Sequence, residues 1–568
     1  PIWLPAVRVH ARFVSGPSPQ FNQRMVSNAG IREPLLRGNI REAGLQAVGG
    51  QTQRPRAGFC HGLVFVSCVL GNVVLMVALV VLVPPLVVIF AMLTLPSVLE
   101  WLCCRRRRRY MDAVSASQLH MVEGAAIHGI FILGHRMNAD TFFNNWERVY
   151  FSESSRPEFK ILRQHPCRRK WFWPYWEDVA QDTFDRDYHM NREAAVMDKE
   201  GLQRFVGRLE SCVMDFEKPL WQLFFIERYV GEDGVERSVA IQKGHHCMHD
   251  GFHSIRKVLH GAVPNKPPQG NQQQQSKSRG GAGRGRRASF CATLINVWRA
   301  LKQLVLMSTD AVSFVKSQVY ARPEDAKVCA WHTLRNIGVQ DLKDFGKAEA
   351  GGGATINDLL LTALGGALRR YCRAASAADS AAQPVPEEIT ACIWVARAPL
   401  AHIYKDFDEV PLKWGNSTLG ACYLKIPLRE PSGANGPVPA ALADMKARTS
   451  APELMIQALI ATKFLAMFGV GPRVLMRPLS KLTNNKISIS TSNVPGPSFD
   501  TAWCGAPIDQ MVFFVPPQGR ISIFLTVITY AGKVTVGIGA AGDILSPQAL
   551  KQITSEFFEA ELNQLMNN

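Results

Sequence analysis

The sequence predicts an α/β protein of two lobes behind an N-terminal membrane segment. Three observations carry this. Strand-like and helix-like apolar patterns alternate through residues 110–263 and again through 291–568. A stretch dominated by Pro, Gln, Gly and Arg, residues 264–290, separates the two. An apolar run, residues 57–99, holds no Asp, Glu, Lys or Arg. At 568 residues the chain exceeds one ordinary core, and 47% hydrophobic with 20% charged residues are globular proportions.

The chain opens on Pro1, so it is expected to be a fragment or a processed product. Residues 1–56 are rich in Arg, Gly, Gln and Pro with little apolar periodicity, and read as a disordered basic segment. Residues 57–104 read as a membrane segment, since one bilayer crossing needs about 20 apolar residues. Pro84 and Pro85 sit near its middle, where prolines break or kink a helix. Arg54 and Arg56 precede the run and Arg105 to Arg109 follow it. Basic flanks prefer the cytoplasmic side, which favours a hairpin entering and leaving on one face; a single kinked crossing is the alternative. Cys103 and Cys104, beside this segment, are either acylation sites or free thiols in an apolar flank. The scattered cysteines form no repeated CxxC pair, so neither a zinc ribbon nor a disulfide framework is indicated.

In the first lobe, 110–263, GIFILG (129–134) reads as a buried strand. Residues 199–212 carry Leu202, Phe205, Val206 and Leu209 at helical spacing. Residues 221–230 and 236–244 read as strands joined by a GEDG turn, and 252–260 as a short helix. Residues 264–290 form a disordered basic linker. In the second lobe, 291–568, residues 357–371 read as a helix followed by a loop, AASAADSAAQPVPEE. Residues 389–397, 422–428, 486–493, 521–530 and 533–541 read as strands, and Ser546 as the N-cap of a closing helix.

The net charge of +17 suggests nucleic acid until it is located. Eight arginines against two acids in 1–56, five arginines at 105–109 and six cations without an acid in 264–290 account for all of it. The rest of the chain is neutral, so no broad basic face for DNA or RNA is expected. Anionic lipid headgroups are the better partner for the flanks.

The densest polar cluster is Gly244-His245-His246-Cys247-Met248-His249-Asp250-Gly251, between a strand and a helix. A strand end presents a side chain rigidly into a cleft. A neutral imidazole at His246 can take a proton from a hydroxyl as it attacks a carbonyl. Asp250 can orient the imidazole or fix the loop by an ion pair, and Gly251 permits backbone geometry other residues resist. The same residues admit other roles. HxxH spacing with a carboxylate can hold zinc, although neither HExxH nor a distant ligand set appears. The histidines can be structural, and Cys247 can be a nucleophile.

HHCMHDG resembles the HHxxxDG motif of the wax ester synthase/diacylglycerol acyltransferase family, whose HxxxD core is shared with chloramphenicol acetyltransferase-like and plant BAHD acyltransferases. Further segments resemble the family in order: FDRDYHMNR (184–192), MDFEKPLW (214–221) with Pro219, Leu220 and Trp221, the helix opening on Asn357 and Asp358, Gly415-Asn416, SNVPGP (492–497), Cys504-Gly505 and TYAGKVTVGIGAAGD (529–543). The resemblance covers about residues 120–560. It departs at the N-terminal 110 residues, at the linker, and at VARAPL (395–400), a loose match in which Arg397 stands as the arginine.

The resemblance implies two chloramphenicol acetyltransferase-like α/β lobes with the active site in a tunnel between them. It implies no cofactor, and acyl-CoA as co-substrate. It implies a long-chain alcohol or diacylglycerol as acceptor, giving wax ester or triacylglycerol through a ternary complex. His246 is then the general base. His245, Asp250 and Gly251 accompany it in the motif. Asn357, Asp358, Ser492 and Asn493 are candidates for the oxyanion or substrate site, with an N-cap as the other reading of Asn357. Pro219, Leu220 and Trp221 are candidates for its wall, with a core aromatic as the other reading of Trp221. A membrane segment suits a bilayer-borne acceptor, and soluble CoA places the lobes on the cytosolic face. The endoplasmic reticulum is the expected membrane, with the lipid droplet or plasma membrane as alternatives. A non-catalytic lipid-binding protein of this fold, a transferase with a polar acceptor and a zinc hydrolase are the competing readings.

Overall fold

The structure is a computed structural model. It describes residues 87–568 and a few positions before them, apart from 261–289, 317–321, 379–383, 397–401, 429–438 and shorter breaks. The basic N-terminal segment, most of the apolar run, nearly all of the linker and Arg397 lie outside the described residues. Val80–Asn568 forms one compact unit.

Fifteen strands are described: β1 Arg109–Tyr110, β2 Ala126–Leu133, β3 Gln164–Cys167, β4 Tyr175–Asp178, β5 Met190–Glu193, β6 Trp221–Val230, β7 Glu236–His245, β8 Lys327–Thr333, β9 Glu388–Ala396, β10 Leu419–Pro427, β11 Ile489–Pro495, β12 Ala502–Trp503, β13 Ala506–Phe514, β14 Ile523–Tyr530 and β15 Lys533–Ala541. They build a first-lobe sheet ordered β12-β13-β2-β7-β6-β5, a second-lobe sheet ordered β10-β9-β11-β14-β15-β8, and a small sheet β1-β4-β3. Both large sheets are mixed. β5 runs parallel to β6, and β11 runs parallel to β9 and β14.

The expected strand segments all form, within a few residues at their ends. β6 and β7 pair antiparallel across the predicted turn, where Gly234 takes φ +75°. The helix Lys199–Ser211 buries the expected Leu202, Phe205, Val206 and Leu209, and is capped by Asp198. Ser546 caps the helix Pro547–Lys551 as expected, although a π-helical stretch, Gln552–Phe557, separates it from the last helix, Phe558–Asn567. The helix Ile356–Ala378 runs farther than its apolar pattern indicates, taking in the alanines at the start of the expected loop. Alanine has the highest helix propensity, so that sequence continues a helix at no side-chain entropy cost.

The linker at 264–290 does not divide the sheets cleanly. β12 and β13, late in the chain, join the first-lobe sheet beside β2. Val512 and Phe514 of β13 and Trp331 of β8 pack in one cluster with the helix Lys199–Ser211. In the opposite direction, the helix Ala113–Met121 packs against the second lobe, where His120 Nδ1 lies 3.2 Å from the Phe468 carbonyl. Each lobe thus completes part of the other, and the motif sits where they meet. Aromatic rings fill the first-lobe core, with Phe142 4.7 Å from Phe225 and 5.3 Å from Trp503 between ring centres. Such pairs add about 0.5–1.5 kcal/mol each beyond area burial.

Two helices among the described residues are long and apolar enough to cross a membrane by length and composition, Val87–Cys104 and Pro452–Val470. Val87–Cys104 has mean hydropathy 2.0 and is mostly exposed, with Met92, Leu95, Leu99 and Leu102 uncovered. Pro84 and Pro85, expected to break or kink the run, are themselves in helical conformation. The basic flank after this helix is partly built into the fold. Arg108 pairs with Glu100 and lies 4.6 Å from the Tyr175 ring, and Arg109 donates to Gln164 at 3.1 Å.

Candidate active site

β7 delivers the histidine motif. Side chains alternate across a strand, so neighbouring residues at its end turn opposite ways. His245 is fully buried against Phe216, and its Nδ1 accepts from the Cys247 amide at 3.2 Å. His246 is half-buried and faces Trp394 of the second lobe, 6.5 Å away between ring centres. Among the described residues, no well-formed hydrogen bond reaches Nδ1 of His246. Burial pulls its imidazole below the usual range, against the opposing effects of its own carbonyl, the Asp250 charge and the Asn416 side chain. The ring is therefore neutral at neutral pH and able to accept a proton.

Asp250 caps the helix Gly251–His260. Its Oδ1 accepts from the His253 amide at 2.9 Å and the His253 ring at 2.7 Å. Burial pushes this carboxyl up, but the His253 bonds and nearby histidines outweigh it and hold it below the ordinary range. Asp250 therefore fixes the loop, and His253 is its ring partner. His249 is bound to Ser254 at 2.7 Å. Among the described residues no three of the motif's metal-ligand types converge on one point. Burial raises the Cys247 thiol well above its usual value, opposite to what a nucleophile needs. Gly251 is required by close approach and not by an unusual φ: a Cβ there would lie 2.8 Å from Val494 of β11.

The second lobe grips the motif through Gly415 and Asn416. The Gly415 amide donates to the Met248 carbonyl at 2.7 Å, and Asn416 Nδ2 donates to the His246 carbonyl at 2.5 Å. Asn416 is fully buried, and its own amide donates to Ser115 Oγ at 2.9 Å. Gly415 takes φ +113°, and a Cβ there would fall 1.9 Å from Asp112 Oδ2. Between the lobes lies a narrow apolar cavity of ≈ 30 Å³, lined in part by Ile127, Phe131, His249, Val494, Phe513 and Ile528.

The chain matches the wax ester synthase/diacylglycerol acyltransferase catalytic domain over residues 135–360 and the WS/DGAT C-terminal domain over 414–564. The chain belongs to this family. A Mycobacterium tuberculosis protein provisionally named a diacylglycerol O-acyltransferase is 23% identical over 408 residues, covering 67% of this chain and 76% of the relative. The wax ester synthase/diacylglycerol acyltransferase 6 of Arabidopsis thaliana is 24% identical over 189 residues, 30% of this chain and 35% of that one. The wax ester synthase/diacylglycerol acyltransferase of Marinobacter aquaeolei VT8 shares the fold, with TM-score 0.50 and 16% identity over 81% of this chain and 100% of that one. So does the trichothecene 15-O-acetyltransferase of Fusarium sporotrichioides, with TM-score 0.51 and 13% identity over 80% and 95%.

In this member of the wax ester synthase/diacylglycerol acyltransferase family the predicted residues divide into two groups. Near His246 lie Asp250, Gly251 and β11. On β11, Ser490, Ser492 and Val494 share a face by alternation. Ser490 accepts from Trp394 Nε1 at 2.8 Å, Val494 meets Gly251, and Ser492 lies between them, opposite Trp394 in the β9 register. Asn493 takes the other face and is exposed. The remaining candidates serve the framework. Trp221 is a core residue, stacked 4.4 Å from the His189 ring and donating to the Leu162 carbonyl at 2.8 Å. Leu220 accepts from the His245 amide at 2.9 Å, and Pro219 from the Trp221 amide at 2.9 Å. These three set the register of β6 and do not wall the cavity. Asp358 closes a capping box with Thr355, at 2.7 and 3.2 Å, so the N-cap is Thr355 and not Asn357. No hydrogen bond or ring contact joins Asn357 to His246 among the described residues.

Sequence reasoning passed over Asn416 as a partner of His246, and Trp394 and Ser115 altogether. The Gly415-Asn416 pair was visible as a motif. Nothing in the sequence indicated that it touches a loop some 170 residues earlier.

Proposed function

We propose that this O-acyltransferase moves a fatty acyl group from acyl-CoA to a membrane-borne long-chain alcohol or diacylglycerol, with His246 as general base. The observation that carries the reading is that His246 faces Trp394 of the opposite lobe with an Nδ1 that meets no hydrogen-bond partner among the described residues, whereas His249, which also faces that lobe, is bound to Ser254.

His246 takes the hydroxyl proton as the acceptor oxygen attacks the thioester carbon. The resulting oxyanion receives a hydrogen bond from the Ser492 hydroxyl, our candidate donor on the cleft face of β11. Collapse breaks the carbon–sulfur bond, and the imidazolium returns its proton to the CoA sulfur. Asn416 positions the base by holding its carbonyl, and Asp250 holds the loop. The apolar cavity lining suits an acyl chain. The exposed apolar helix Val87–Cys104 supports residence at a membrane, with the lobes on the cytosolic side where CoA is available.

The test is lipid analysis of a host lacking neutral lipid that expresses the chain or His246→Ala. A new wax ester or triacylglycerol with the parent and none with the variant is expected. Equal ester output from both removes His246 as base. Which class appears decides the acceptor.

A further inference from the structure

The geometry points to a second lipid contact: the helices Pro452–Val470 and Arg473–Asn484 form a face that docks on an anionic membrane surface. This inference rests on the proposed lipid acceptor for its purpose.

The helix Pro452–Val470 is apolar nearly all round, a composition normally buried on every side. Here the fold covers one side, through Leu454, Gln457, Ala458, Ala461 and Thr462. The other side leaves Met455 67%, Leu459 49% and Phe464 50% exposed, and the next helix adds Val474 at 41%. Large apolar side chains gathered on one uncovered face mark an interaction site.

Charge identifies the occupant. Between Glu453 and Asp500 the chain has no acidic residue but carries Lys463, Arg473, Arg477, Lys481 and Lys486. A recess lined by Arg473, Val474, Arg477, Pro478 and Lys481 sets three cations around apolar side chains, the chemistry of a phospholipid headgroup and the start of its acyl chains. A second copy docking through the same face would oppose like charges, which disfavours self-association there.

The position fits as well. The helix Val87–Cys104 leads through residues 105–112 into the helix Ala113–Met121, which packs directly under Pro452–Val470: the Cβ position of Gly469 lies 1.7 Å from the Ala113 carbonyl. The same helix touches the approach to the site, since Thr462 Oγ1 donates to the Leu419 carbonyl at 3.2 Å, three residues beyond Asn416. Its packed side belongs to the fold, so it lies in the interface and does not cross.

The test uses the full chain in vesicles of phosphatidylcholine, with or without phosphatidylserine, doped with a photoactivatable phospholipid. Crosslinks are mapped by mass spectrometry. We expect crosslinks within 452–484 that increase with phosphatidylserine. They should fall about tenfold in a Lys463→Glu, Arg473→Glu, Arg477→Glu, Lys481→Glu variant while those to 87–104 persist. Initial rates should drop about as far with a vesicle-borne long-chain alcohol, and stay unchanged with a water-soluble short alcohol. A second variant, Met455→Gln with Leu459→Gln, should behave alike. Absence of crosslinks in 452–484 while 87–104 is labelled, yields indifferent to phosphatidylserine, protein–protein crosslinks there instead, or equal rate loss with both alcohols overturns the inference. If the parent forms no ester with either alcohol, the acyl-transfer reading fails, and the crosslink pattern still decides the docking.

Discussion

Asn416 of the second lobe holds the main-chain carbonyl of His246 in the first, at 2.5 Å. Asn416 is itself anchored to Ser115 at 2.9 Å. The His246 backbone is thus positioned by both lobes at once, through one buried amide. Asn416→Ala should lower kcat/KM by about 10–10²-fold through misplacement of the imidazole. Because Asn416 also raises the His246 pKa, the acid limb of the rate profile should shift to lower pH in the variant. A merely structural asparagine would lower stability and leave that limb in place.

For the parent enzyme, kcat/KM should fall as pH drops through a midpoint below the usual histidine value of about 6.5, since burial depresses His246 and only the neutral ring accepts a proton. Stability should follow the same direction. Burial pushes His120 and His189 down to about 4. The unfolded chain binds their protons near 6.5 while the folded chain does not, so Tm should decline as pH falls from about 6.5 toward 4.

Asp250→Asn should weaken the fold more than it changes the chemistry. The carboxylate is buried and bound to the His253 ring and amide, and losing hydrogen bonds to a charged group costs about 1.5–3 kcal/mol each. Its folded pKa lies below the ordinary value, so its contribution is present above the unfolded pKa and is lost as pH falls through the folded one. Chemical denaturation of parent and variant at neutral pH measures the loss. A stable variant with an altered pH–rate profile would instead make Asp250 part of the proton path.

Ser492→Ala should reduce kcat by about 10²–10³ if its hydroxyl meets the oxyanion, with KM for acyl-CoA little changed. Asn357→Ala should leave kcat near the parent value, since the helix start is already capped by Thr355 and Asp358. The reverse ranking would return the oxyanion role to Asn357.

Gly415→Ala and Gly234→Ala separate close approach from backbone strain. Both positions have positive φ, +113° and +75°, but only at Gly415 does a Cβ collide, with Asp112. Gly234→Ala should cost about 1 kcal/mol. Gly415→Ala should cost more and also slow catalysis, since the Gly415 amide holds the Met248 carbonyl. Thermal melts with parallel assays check both.

The sequence by itself determined the elements and the candidate motif. Apolar periodicity set β6, β7, β14, β15 and the helix Lys199–Ser211, because strand and helix repeats are local properties of the chain. The density of titratable residues at 244–251 singled out the motif for the same reason. Only the tertiary structure decided which motif residues face the opposite lobe and which are bound into the loop. Strand alternation buried His245 and released His246, and it turned Ser492 toward the cleft and Asn493 away. Long-range packing brought Asn416 and Trp394 to a loop far behind them in sequence, sent β12 and β13 into the first-lobe sheet, and confined Trp221 and Asp358 to framework roles. Contacts between distant segments depend on how the lobes close on each other, and that closure leaves no periodic trace in the chain.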